Sequence, residues 1–248
     1  MIAIIIALVV LVAVVLYIIF DHSKAPVTPP VPPPTPGGGI LPDNVHLTVV
    51  NNATGVSAND VAAYIVAQQL QINNDFQPYW GGKAIIDTKA GGWPIYLVDF
   101  ADIDGALGYH DVDANGVPFA KVFVQTSTND GVDWESVASH EVLETLTDSN
   151  ANTSVTGPDG CQWYREASDA VEDVEYSRNG VPLSDFVTPN YFVKDSQGPY
   201  DFLAVLKGPF TITDGGYVPE SCGGAAKHMF ENTSKRQSVD RAYHVRKK

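Results

Sequence analysis

The segment Trp134-Glu-Ser-Val-Ala-Ser-His-Glu-Val-Leu-Glu-Thr-Leu-Thr-Asp148 concentrates the groups best suited to chemistry. Asp133 ahead of it offers a start signal, and the spacing predicts a helix from there to about Asp148. At 100° per residue Trp134, Ala138, Val142 and Leu146 fall on one side, while Val137, His140, Glu141, Glu144 and Asp148 fall on the other. His140 and Glu144 stand at i, i+4, so both can address one ion. Glu141 sits beside them and can orient a water instead. The competing reading is a solvated acidic face with a single titrating histidine.

That spacing is the H-E-x-x-H zinc motif with Glu144 in place of the second histidine. Upstream, Asp99-Phe-Ala-Asp-Ile-Asp-Gly-Ala-Leu-Gly-Tyr-His110 leads into an apolar run, Phe119-Ala-Lys-Val-Phe-Val124, and the motif follows. This order resembles the zincin peptidases, metzincins in particular. There a glycine-containing segment with Asp and His precedes an edge strand that pairs with substrate, and the motif helix comes next. The chain also resembles a set of uncharacterised microbial and viral proteins sharing G-Y-H-D, S-H-E-x-x-E, an acidic stretch and F-V-x-P-x-[WY]-F. Here these read Gly108–Asp111, Ser139–Glu144, Glu166–Glu175 and Phe186–Phe192, and the resemblance covers about residues 43 to 218.

The resemblance implies a zincin-like α+β domain with a mixed sheet and a third metal ligand from downstream. Thr145-Leu-Thr-Asp148 carries no metzincin extension. The ligand is therefore sought in Glu166-Ala-Ser-Asp-Ala-Val-Glu-Asp173, where Asp169 and Glu172 are three apart. His110 is a further candidate. The expected metal set is His140, Glu144, Asp169, Glu172 and His110, with zinc as the cofactor and manganese or calcium favoured by the added carboxylates. Glu141 is the expected catalytic base of a metal-dependent hydrolase, a peptidase acting on a peptide or protein substrate. Tyr109, Tyr164 and Tyr176 are candidates for oxyanion stabilisation. The alternative function is a non-enzymatic virion or surface attachment protein that keeps the fold.

The elements that must position these groups follow from the flanking sequence. Alternation predicts a strand over 45–50. Ser57, Asn59 and Asp60 open a helix over 58–73, whose apolar face Gln68 interrupts. Further strands are expected at 84–87, 94–100, 120–125, 186–192 and 210–213. Asp111-Val-Asp-Ala-Asn-Gly116 reads as a polar turn, or as a calcium-stabilised one that lacks the EF-hand glutamate, since position 122 is Val. Ser139 cannot pair with His140, because neighbours on a helix point apart. Cys161 and Cys222 are compatible with one disulfide or with two free thiols.

Outside residues 43–226, the expected globular domain, the chain changes character. Met1 to Phe20 carries no charge and no polar side chain except Tyr17. At about 1.5 Å per residue it reaches the thickness of a bilayer core, so residues 1–20 are expected to be a transmembrane anchor. Residues 21–42 read as a Pro/Gly-rich linker, with six prolines between Pro29 and Pro36 favouring an extended rod. In the tail, 227–248, seven Lys and Arg face only Glu231 and Asp240, a net of +5 in a chain of −14. The acidic body makes nucleic acid an unlikely partner for the domain, and the tail can meet an acidic one. The expectation is a single-pass membrane protein with its domain on the extracytoplasmic or virion side.

Overall fold

The computed structural model describes Leu41, residues 43–224 and the strand Lys227–Phe230. The expected membrane anchor at 1–20, most of the proline-rich linker and the tail beyond residue 230 lie outside the described residues. No described helix is long and apolar enough to cross a membrane.

The fold is mixed α/β. A five-stranded sheet is built from β1 (Val45–Asn51), β2 (Ala84–Asp87), β3 (Trp93–Val98), β4 (Gly108–Val112) and β5 (Pro118–Phe123), in the order β2-β1-β3-β5-β4. Neighbours run parallel except the last pair, in which β4 is antiparallel to β5 with His110 opposite Ala120. Inward residues Leu47, Val49, Ile95, Leu97, Ala120 and Val122 bury one face of this sheet. The run Phe119–Val124 was expected to supply the edge strand. Instead β5 lies between β3 and β4, and Gly108–Val112 forms the edge. The turn joining these two strands is made by Asp113, whose Oδ1 accepts the amides of Asn115 and Val117 at 2.8 and 2.9 Å. Its carboxylate is thus spent on backbone, as a polar turn requires.

Helix α1 (Ala58–Leu70) starts at a capping box: the Asp60 amide donates to Ser57 Oγ, and the Ser57 amide donates to Asp60 Oδ2. It continues through a π-helical turn, Gln71–Phe76, into α2 (Gln77–Trp80). The polar break at Gln68 now has a reason. Gln68 Nε2 donates to Gln71 Oε1, which also accepts from Ser139 Oγ, while Gln71 Nε2 donates to the Ser184 carbonyl. Gln68, Gln71, Ser139 and Ser184 are all buried, and these bonds tie α1 and its π-helical turn to the motif helix and to the Ser184 backbone, with Gln68 Oε1 left over.

After β5 the chain forms α3 (Val124–Asn129) where a strand was expected to run on to 125. The β-prone residues are overridden locally: Ser127 and Thr128 hydroxyls donate to the carbonyls of Phe123 and Val124, and the Gln125 amide donates to Asp99 O. The motif helix α4 (Trp134–Thr147) has the expected bounds, with Asp133 and Asp148 as caps. It packs on β4 and β5 on one side and on β9 (Val181–Ser184) on the other. All its residues but Glu135 are buried, so it is a central helix and the solvated acidic face is excluded.

The second half builds a cover over α4. β6 (Ser154–Thr156), β7 (Gln162–Tyr164), β10 (Tyr217–Ser221) and β11 (Lys227–Phe230) form an antiparallel sheet, and β8 (Glu175–Arg178) pairs with β9. Cys161 and Cys222 are joined in a disulfide beside the β7–β10 pairing. The strands expected at 186–192 and 210–213 do not form. Pro189 opens a 3-10 turn, Pro189–Phe192, and the 210–213 stretch is irregular.

Candidate metal centre

Three separate elements deliver the site. The central helix α4 supplies His140, Glu141 and Glu144, the edge strand β4 supplies His110, and the segment around the 3-10 turn Asp169–Val171 supplies Glu166, Asp169 and Glu172. That last segment is tied down by backbone. The Val187 amide donates to Ala167 O, the Thr213 amide and hydroxyl to Ala170 O, and the Ser168 amide to Glu144 Oε1 at 3.1 Å. Gly216 packs so close that an added Cβ would stand 2.4 Å from Ala170 O.

His140 is the centre of the arrangement. Its Nε2 lies 3.2 Å from both Glu144 Oε1 and Asp169 Oδ1, and its Nδ1 lies 3.1 Å from Glu172 Oε2. His110 Nε2 lies 3.0 Å from Glu166 Oε2 and 3.9 Å from Glu144 Oε2. Two groups with metal-ligand spacing result, His140–Asp169–Glu172 and His110–Glu144–Glu166. A third, Cys161–Glu220–Cys222, has its sulfurs committed to the disulfide. His110 therefore does not join His140 directly. It meets the same glutamate from the other side, through Glu166, a residue the motif reading passed over. The signal that could have found Glu166 is its place three residues before Asp169 in the same acidic stretch.

Asp148, grouped with the motif carboxylates on the helical wheel, turns away. Both its oxygens accept the Thr153 amide at 2.9 Å. Tyr176 donates to buried Asp75, which Arg178 also clasps, so it belongs to another polar cluster. Neither Tyr109 nor Tyr164 reaches the cavity described next. Tyr217, not foreseen, does.

His140, Glu141 and Glu172 line a cavity of about 380 Å³, together with Gly108 of β4, Ser136 and Tyr217. Glu141 is pressed against the edge strand. A Cβ on Gly108 would stand 2.7 Å from Glu141 Oε1, so only glycine leaves room for the carboxylate.

The electrostatics are those of a site short of positive charge. Five carboxylates, Glu141, Glu144, Glu166, Asp169 and Glu172, gather about two imidazoles. Burial works against a charged His110, yet Glu166 and then Glu144 overcome it and push its pKa up to about 10. His140 is likewise raised well above its ordinary value: burial opposes this, and Glu144 and Glu172 outweigh it. Burial, reinforced by Asp169, lifts Glu144 well above the usual carboxylate range, and burial lifts Glu166 against the pull of His110. Burial also lifts Glu141, to about 8, with the two histidines holding it back. Imidazoles and carboxyls buried together and shifting one another in this way make a donor set that could hold a divalent cation.

Comparison of the chain with protein-family models, curated proteins and solved structures finds no match. Any reading of function rests on the site.

The residues fit a cation on their own geometry. Donor atoms bound to one ion at about 2.0–2.2 Å stand roughly 3.0–3.5 Å from one another, and His140 Nε2 stands at 3.2 Å from both Glu144 Oε1 and Asp169 Oδ1. Ser168 Oγ and the Tyr191 phenol, both fully buried, have no hydrogen-bond partner, and the charge of Asp169 acts on Tyr191. Buried hydroxyls left so are costly, about 1–3 kcal/mol each.

Proposed function

We propose that this chain is a metal-dependent hydrolase acting on peptide bonds, with a zincin-like domain held near a membrane by its N-terminal segment. The observation that carries the reading is His140 Nε2, 3.2 Å from the Glu144 and Asp169 carboxylates, on the wall of a cavity that Glu141 also lines. His140, Glu144 and Asp169 would hold the ion, zinc or manganese by donor chemistry. When bound, such an ion supplies Lewis acidity and lowers the pKa of water.

This chain's own residues do the remaining work. Glu141, on the cavity wall next to His140, would take a proton from the attacking water and return it to the leaving amine. Glu172 lies 3.1 Å from His140 Nδ1, on the side of the ring away from Glu144 and Asp169, and its charge there would favour an Nε2 turned to the ion. Support for a peptide substrate comes from β4. It is an antiparallel edge strand among the described residues, its Gly108 forms part of the cavity wall, and an extended chain can pair with such an edge. The mixed sheet ahead of the motif helix supports the zincin resemblance, although its edge is Gly108–Val112 and not the run after it.

A second reading is favoured by one observation. Glu144 and Asp169 are each only 1% exposed, as expected where an ion serves stability in a displayed surface or virion domain. The two part on Glu141→Gln. In the hydrolase this change leaves metal content intact and lowers peptide hydrolysis by about 10²–10⁴-fold. In the displayed domain there is no turnover to lose.

The apolar residues 1–20 support a single membrane span, and the Cys161–Cys222 disulfide supports an oxidising, extracytoplasmic side for the domain.

A further inference from the structure

We infer that the centre is dinuclear, with Glu144 bridging two divalent cations through its two carboxylate oxygens. This rests on the cation site proposed above and adds a second position to it. The first position takes His140 Nε2, Glu144 Oε1 and Asp169. The second takes His110 Nε2, Glu166 Oε2 and Glu144 Oε2.

The geometry of Glu144 carries the argument. One oxygen faces His140 at 3.2 Å and the other faces His110 at 3.9 Å, so the carboxylate stands between two imidazole nitrogens that belong to different elements. Each of those nitrogens meets a second carboxylate of its own, Asp169 on one side and Glu166 on the other. A carboxylate spanning two ions holds them about 3.5–4 Å apart, a separation known from two-metal hydrolytic sites. Charge agrees: with neutral histidines, a single divalent ion leaves the five carboxylates about three negative charges in excess, whereas two ions leave about one.

A further observation comes from the segment that supplies a ligand to each position. Ser168 sits in the chain between Glu166 and Asp169, its amide donates to Glu144, and its hydroxyl is fully buried with no partner. The Tyr191 phenol, 1% exposed and beside Asp169, is in the same condition. Two bare hydroxyls in a carboxylate-rich interior fit a cavity meant to hold ions and the solvent they carry. The second position also accounts for the missing histidine of the helix motif, since His110 on β4 restores the count to two across the centre.

The test is metal stoichiometry on the purified full chain, loaded with Mn²⁺ and freed of excess, with electron paramagnetic resonance as a second readout. Two equivalents with an exchange-broadened signal are expected in the wild type. His110→Asn and the nearly isosteric Glu166→Gln should each hold one equivalent and give the resolved six-line signal of an isolated ion. One equivalent in the wild type, unchanged in both variants, would overturn the bridge, reduce His110–Glu166 to an ion pair and leave the hydrolase reading standing. No equivalents in any protein would overturn both.

Discussion

Glu172 Oε2 stands 3.1 Å from Nδ1 of His140, whereas Glu144 and Asp169 address the other ring nitrogen. Glu172 is thereby separated in role from the carboxylates it accompanies in sequence. A carboxylate beside Nδ1 of a histidine makes Nε2 the better donor to a metal. Glu172→Gln should therefore keep a stoichiometric metal but bind it about 10–100-fold more weakly. Asp169→Asn should lose the ion from that position. Competition with a chelator of known affinity separates the cases, and equal losses in both variants would make Glu172 a ligand.

Gly108 gives a steric test of Glu141. Its Cβ would fall 2.7 Å from Glu141 Oε1 and 2.9 Å from Val137 Cγ1. Gly108→Ala should displace the carboxylate, lowering hydrolysis about tenfold or more with metal content and secondary structure unchanged. Full activity in this variant would show that Glu141 need not occupy its present place.

Asp185 and Asp201 form a second buried acidic pair. Asp185 Oδ1 accepts the amides of Phe186 and Leu203, and the Asp201 oxygens accept those of Val205 and Leu206. Burial first, then the Asp201 charge, pushes Asp185 well above its ordinary value. With the folded pKa raised, its contribution to stability is complete below about pH 4, the unfolded carboxyl pKa, and is lost as pH rises through the folded value. Asp185→Asn keeps the amide contacts and removes the titration. With both proteins metal-loaded, melting curves should coincide more closely in acid and favour the variant by a few degrees in alkali. A wild type that gains stability over the variant as pH rises would reverse the assignment.

The disulfide closes a loop between positions 61 apart in sequence and clamps β7 against β10. By chain entropy it should contribute about 4 kcal/mol. Cys222→Ser should lower the urea midpoint accordingly, and an unchanged midpoint would mean that the sheet holds without it.

Local signals carried part of the fold. Ser57 with Asp60, and Asp133 before an apolar periodic run, marked two helix starts that the structure keeps. Residues 84–87 and 45–50 read as strands because they alternate beside turn residues. What failed was tertiary. Val124–Asn129 turns helical where an apolar run predicts a continuing strand, and the Gln125 amide goes to Asp99 O. Gly108–Val112 is polar and glycine-led, and pairs only because β5 offers its edge. In the site, i, i+4 spacing showed that His140 and Glu144 share a face. That Glu166 answers His110, and that Glu172 takes the far nitrogen of His140, depends on a crossing of three elements that no local pattern encodes.

The central claim is that His140, Glu144 and Asp169 hold a cation, and elemental analysis tests it most directly. The full chain, purified without added metal, is compared with His140→Ala. At least one equivalent of zinc or manganese per chain, lost or sharply reduced in the variant, is the predicted result. No metal in either protein, with equal stability and no uptake of added zinc or manganese, would contradict the account.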